Sequence, residues 1–199
     1  NGKERDIMAT SIRGTKTEKN LLAAFAGEAQ ARNRYTYFAS AAKKEGYEQI
    51  AAIFLETAEN EKEHAKVFFK YLEGGEVEIT ASYPAGVIGD TAANLAAAAA
   101  GEKMEWTTIY KDFEAQARAD GLPQIAAIFK EIGEVEEQHE KRYLKLLKNV
   151  QEGKVFEKDE VVYWRCRNCG YLHSGQKAPN SCPACRHPQA YYEVLGENY

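Results

Sequence analysis

The chain has 199 residues, of which 30 are Asp or Glu against 26 Lys or Arg, for a formal charge of −4, and all four cysteines fall between positions 166 and 185. That length holds one well-buried domain plus a small C-terminal appendage. An acidic balance with no local basic cluster argues against a nucleic-acid partner, and no apolar run, the Ala-rich Leu95–Ala100 included, is long enough for a membrane span.

Residues 1–14 carry charges but no apolar leader and read as an N-terminal arm of a cytoplasmic protein. Thr15 or Thr17 can cap a first helix running to about Glu45, where Gly46 stops it. A second helix follows to about Leu72 and ends at Gly74-Gly75. Residues 74–90, with Pro84 and further glycines, read as a long connection and not as a hairpin loop. Asp90 or Thr91 then caps a third helix to about Asp120. Gly121 breaks the chain, Pro123 suits a first helical turn, and a fourth helix runs to about Gln151. Two short hairpins joined by one long crossover predict an all-α four-helix bundle of the ferritin-like kind over residues 15–151. Residues 152–164 are expected to link it to a cysteine module over 165–199.

The two hairpins repeat each other. Ala26-Gly27-Glu28 matches Ala100-Gly101-Glu102, Gln49–Phe54 matches Gln124–Phe129, and Glu61-x-x-His64 matches Glu136-x-x-His139. The offset is 74 in the first match and 75 in the others, which places one extra residue in a loop of the second half.

The apolar stripes of the helices carry charge where a core should be. Ile50, Phe54, Thr57, Glu61, His64 and Phe68 follow one helical face, as do Ile125, Phe129, Ile132, Glu136, His139 and Tyr143. Glu102 and Glu105 lie on the stripe of the third helix and Glu28 on that of the first. One Glu-x-x-His is usually a solvated helix face. Two copies within a repeat, on apolar stripes and facing lone glutamates, form the pattern that binds a dinuclear metal site. Five carboxylates and two imidazoles suit two divalent iron or manganese ions. Glu59, Glu63, Glu134 and Glu137 lie off the stripes and read as solvated. Tyr35 and Tyr110 follow Glu28 and Glu102 by seven and eight residues, so their hydroxyls can reach ligand carboxylates, with plain core packing as the alternative. Gly27 and Gly101, each mid-helix before a lone glutamate, cost roughly 1 kcal/mol relative to alanine. A side chain there is expected to obstruct packing or ligand placement.

Cys166-x-x-Cys169 and Cys182-x-x-Cys185 form two knuckles for one tetrahedral thiolate site, which zinc or iron can fill.

With Cys166-Arg-Asn-Cys169-Gly-Tyr and Cys182-Pro-Ala-Cys185 beside the bundle motifs, the chain resembles the rubrerythrin family from about residue 15 onward, its C-terminal part resembling rubredoxin. It departs at Arg186, where rubredoxins usually have glycine. The resemblance implies two iron ions held by Glu28, Glu61, Glu102, Glu105, Glu136 and His139, with His64 as the alternative ligand. It implies a further iron on the four cysteines, with zinc as the other candidate there. It further implies reduction of hydrogen peroxide to water in oxidative-stress defence, linked to NAD(P)H through an external donor such as rubredoxin or a flavoprotein reductase. Glu105 would occupy the oxidised site and His64 the reduced one, and Tyr35 and Tyr110 would hold ligands or supply polarity. A homodimer follows by analogy. The competing readings are a ferroxidase or iron-handling protein, and a zinc-stabilised binding module.

Overall fold

A computed structural model describes residues 11–197; residues 1–10 of the N-terminal arm lie outside the described residues. The helices are α1 (Lys16–Lys44), α2 (Glu48–Phe69), α3 (Thr91–Met104), α4 (Tyr110–Ala119) and α5 (Pro123–Gln151). A π-helical segment, Glu105–Ile109, joins α3 to α4, so these three pieces form the third rod of a four-rod bundle.

Local chemistry sets the rod ends. The Thr15 hydroxyl accepts the Glu18 N–H, and the Asp90 carboxylate accepts that of Ala93, each satisfying a donor that the first helical turn leaves free. Gly46 and Gly121 end the first and third rods in the left-handed region, at φ 85° and 74°. The second helix stops at Phe69, short of Leu72, and residues 72–90 cross the bundle without regular structure.

The extra residue of the second repeat does not lie in a loop. Glu28 to Glu102 is an offset of 74, whereas Tyr35 to Tyr110 is already one of 75, so the insertion falls inside the third rod. The π turn at Glu105–Ile109 absorbs it, since a π turn is an α-helix with one residue added.

Two apolar clusters fill the bundle. One contains Tyr35, Phe38, Phe54, Leu95, Ala99 and Tyr143, the other Leu21, Ala24, Phe68, Tyr110, Phe129 and Ile132. Along each rod the charged residues fall between members of the two: Glu28 between Ala24 and Tyr35, Glu102 between Ala99 and Tyr110, Glu136 between Ile132 and Tyr143. The core is thus apolar, charged and apolar in successive layers.

The C-terminal module is a three-stranded antiparallel sheet in the order β2 (Leu172–Lys177), β1 (Glu157–Cys166), β3 (Tyr192–Val194). β1 begins well inside the segment read as a link, because Val162–Arg165 pair with Leu172–Gly175 and become the central strand. Buried Trp164 donates its indole N–H to the Gly175 carbonyl at 2.9 Å. Phe156 stacks on Tyr47 at the bundle end, with ring centroids 6.0 Å apart. Among the described residues no helix is long and apolar enough to cross a membrane.

Candidate metal centres

Glu28 comes from α1, Glu61 and His64 from α2, Glu102 from α3, and Glu136 and His139 from α5. The i, i+3 spacing puts each Glu and His pair on one helical face, and the apolar residues around it turn that face inward. Glu28, Glu102 and Glu136 are 0% exposed, Glu61 1% and His139 4%. They form two overlapping groups of potential ligands, Glu28, Glu61, His64 and Glu136, and Glu61, Glu102, Glu136 and His139, whose donor atoms within each group lie within 4.8 Å of one another. Glu61 and Glu136 belong to both groups.

His64 Nδ1 is 2.9 Å from Glu61 Oε2 and 2.9 Å from Glu136 Oε1, and His139 Nδ1 is 2.7 Å from Glu136 Oε2 and 3.3 Å from Glu61 Oε1. Despite this proximity Glu28 Oε2, Glu61 Oε1, Glu102 Oε2, both oxygens of Glu136 and Nδ1 of His139 are buried with no hydrogen-bond partner. Orphaned buried acceptors cost about 1–3 kcal/mol each, more for charged groups. Lone pairs that crowd together without bonding each other converge on shared points, which is what cation ligands do. The donor set of carboxylates and imidazoles fits iron.

Electrostatics agrees. Burial, then the charge of Glu61, pushes Glu28 up to about 7. Burial and neighbouring carboxylates raise Glu102 and Glu105 well above the ordinary range. Burial alone would lower the histidines, yet the carboxylates crowded against them override it and raise both, His139 to about 12. Without cations the cluster therefore retains protons, and cations would displace them.

The tyrosines bond across the repeat. Tyr35, on α1, donates to Glu102, and Tyr110, on α4, donates to Glu28. Each hydroxyl thus fixes the lone glutamate of the other half, a pairing that sequence spacing could not reveal. Glu105 stands apart from both four-residue groups, while His64 lies within one. Glu105 remains close enough for Glu102 and Glu28 to act on its charge. Glu59, Glu63 and Glu134 are exposed, and Glu137 partly so.

The expectation for the glycines needs correction. A Cβ at Gly101 would meet nothing within 4 Å, and one at Gly27 only Tyr83 Cε1 at 3.9 Å. Both instead line a cavity of about 300 Å³ beside the cluster, whose wall also includes Glu105, Tyr35, Tyr110 and Tyr83. Tyr83 comes from the crossover, where no periodic signal in the sequence could single it out.

In the C-terminal module Cys166 Sγ is 3.7 Å from Cys185 Sγ and Cys169 Sγ 3.6 Å from Cys182 Sγ, and all four thiols are free. A metal–sulfur bond of about 2.3 Å gives a tetrahedral edge of roughly 3.8 Å, so the four sulfurs fit one ion. The His187 backbone N–H lowers the Cys185 thiol to about 6, against the opposing effect of burial. Arg186 takes a left-handed conformation at φ 64°, which explains why glycine is usual there.

The rubrerythrin family profile matches residues 19–147 and 93–164, and the profile described as the rubredoxin-like domain of rubrerythrin matches 164–193. The chain is 61% identical to a rubrerythrin of Porphyromonas gingivalis, over 99% of this chain and 98% of that one. It is 56% identical to a rubrerythrin of Nitratidesulfovibrio vulgaris, over 95% and 99%. A solved structure of nigerythrin in a partially reduced state superposes with a TM-score of 0.61 at 30% identity, covering 95% of this chain and 90% of that one. A Mycobacterium tuberculosis bacterioferritin, 18% identical with a TM-score of 0.59 over 68% of this chain and 86% of that one, shares the bundle fold. The glutamate and histidine cluster is accordingly a diiron carboxylate site and the four cysteines are a rubredoxin-like site: the chain belongs to the rubrerythrin family, a family of oxidoreductases.

Proposed function

We propose that this chain is a non-haem diiron peroxidase that reduces hydrogen peroxide to water in defence against oxidative stress. The observation that carries the reading is one chain holding both a buried pair of overlapping carboxylate and histidine groups and a four-thiolate site. Each peroxide takes up two electrons and two protons, its O–O bond breaks, and two waters leave. Bound iron supplies the redox chemistry, and an external donor, rubredoxin or a flavoprotein reductase linked to NAD(P)H, restores the electrons through the cysteine site.

Glu28, Glu61, Glu102, Glu136 and His139 would hold the iron pair. His64 and Glu105 would be alternative donors to that pair: a neutral imidazole would suit its less charged reduced form and a carboxylate its oxidised form. The hydroxyls of Tyr35 and Tyr110 hold Glu102 and Glu28 by hydrogen bonds and keep their remaining oxygens aimed inward. The apolar layers above and below exclude bulk water and strengthen each polar contact between them. Cys166, Cys169, Cys182 and Cys185 would hold the single iron. Assembly as a homodimer in the cytoplasm completes the proposal.

Metal analysis followed by anaerobic peroxide kinetics tests it. Glu105→Ala and His64→Ala, loaded with iron, are each expected to lower peroxide turnover at least tenfold. Unchanged turnover in both variants at full iron content overturns the reading.

A further inference from the structure

The cavity next to the diiron site is larger than hydrogen peroxide requires. A water molecule takes up about 30 Å³ in the liquid, and peroxide roughly twice that. A volume of about 300 Å³ is at the lower end of the range for pockets that hold organic molecules. Its walls are mostly hydrocarbon: Ala23 and Ala31 of α1, Phe113 of α4, and Pro84 of the crossover. Its polar lining includes Gln30, Arg34, Glu105 and Asp112 beside Tyr35 and Tyr110.

The two glycines supply an independent argument. Mid-helix glycine costs about 1 kcal/mol relative to alanine. Neither position excludes a Cβ by collision, because the nearest contact at Gly27 is ordinary van der Waals distance and Gly101 faces open space. Close packing therefore does not account for glycine at either position. Both face the same cavity, so what a side chain would remove is its volume.

We propose that this cavity is a subsite for the carbon skeleton of small organic hydroperoxides, seated between Gly27 and Gly101 against Tyr83, with the hydroperoxide end toward Glu105. The proposal rests on the peroxidase reading and widens its substrate class. The reaction balances in the same way: the hydroperoxide gains two electrons and two protons, its O–O bond breaks, and one alcohol and one water leave. The electrons are those of the same external donor.

The test uses the iron-loaded full chain, with iron content measured for every variant. Calorimetric titration with 2-phenyl-2-propanol, the alcohol that cumene hydroperoxide leaves behind, reads occupancy of the cavity without turnover. The kcat/KM ratio of cumene hydroperoxide to hydrogen peroxide reads selectivity. Saturable binding of the alcohol is expected, together with a drop of at least tenfold in both its affinity and that ratio in Gly101→Leu. Ala23→Leu, on the cavity wall five residues from Glu28, is expected to do the same and decides the matter if Gly101→Leu fails to fold or to load iron. No alcohol binding, or a ratio unchanged in an iron-loaded variant, overturns the proposal. Wild-type chain inert toward hydrogen peroxide would instead overturn the peroxidase reading on which it stands.

Discussion

A carboxylate shut away from water costs several kcal/mol unless a cation or hydrogen bonds compensate it. Glu28 and Glu102 each receive one tyrosine hydroxyl, which leaves their second oxygens without partners. On the proposed reading the tyrosines would act on bound metal through the glutamates. Tyr110→Phe is expected to keep the fold, since the ring packs among Phe68, Phe113 and Phe129. It should weaken iron affinity about tenfold to a hundredfold in a competitive chelator titration, the usual effect of losing a hydrogen bond to a ligand. At the cysteine site, Arg186 holds φ 64° with an exposed side chain, so glycine there would relieve the backbone without removing a buried side chain. Arg186→Gly is expected to stabilise the module by about 1 kcal/mol, read as a higher denaturant midpoint for loss of the cysteine-site absorbance.

Among the elements, the π segment decides the geometry. It begins at Glu105, and beyond it Tyr110 faces Glu28 from the other half. Removing Thr107 would restore an ordinary α-helix and turn everything C-terminal to it by about 100° relative to Glu102. Tyr110 would leave Glu28, and Phe113 would leave the second apolar cluster. The expected result is a chain with helical circular dichroism close to the original but with reduced iron stoichiometry at the cluster. Full occupancy of both cluster irons would show that the segment does not set the site. Helix ends contribute more modestly: Asp90→Ala removes the acceptor for the Ala93 N–H and should cost about 1 kcal/mol in thermal unfolding.

For the whole molecule, the layered core makes stability depend on metal and on pH together. In the metal-free fold Glu28 has a pKa of about 7 against 4.5 for an ordinary glutamate. The folded state thus binds more protons than the unfolded one in that window, and stability falls as pH rises from 4.5 through 7. The histidines act in the same direction: their raised values give stability that is complete below 6.5 and is lost as pH rises toward the folded value, about 12 for His139. Chelator-stripped protein should therefore melt at progressively lower temperature from about pH 5 to pH 8. Iron-loaded protein should melt higher and vary less across that range, because cations replace the retained protons. Calorimetry of both forms checks the sign, and parallel curves would count against the cluster as the source.

Much of this was legible in the residue order because it depends on local chemistry and periodicity. The 4, 3 spacing of Glu61, His64, Glu136 and His139 within apolar stripes already set the rods, their inward faces and the donor types. The repeat paired the hairpins, and the C-x-x-C knuckles marked the second site. The caps at Thr15 and Asp90 followed from side chains that bond their own first turn. Other features needed the chain folded, because they join positions far apart in sequence. The crossed bonds of Tyr35 to Glu102 and Tyr110 to Glu28 depend on how the halves pack. So does the place of His64 rather than Glu105 in the four-residue group. The cavity that Gly27 and Gly101 line forms only when the crossover brings Tyr83 over α1. The inserted residue was visible as a change of offset, but only hydrogen bonding along the rod could locate it as a π turn. Periodicity records which side of a helix meets the core, and packing alone decides which side chains meet there.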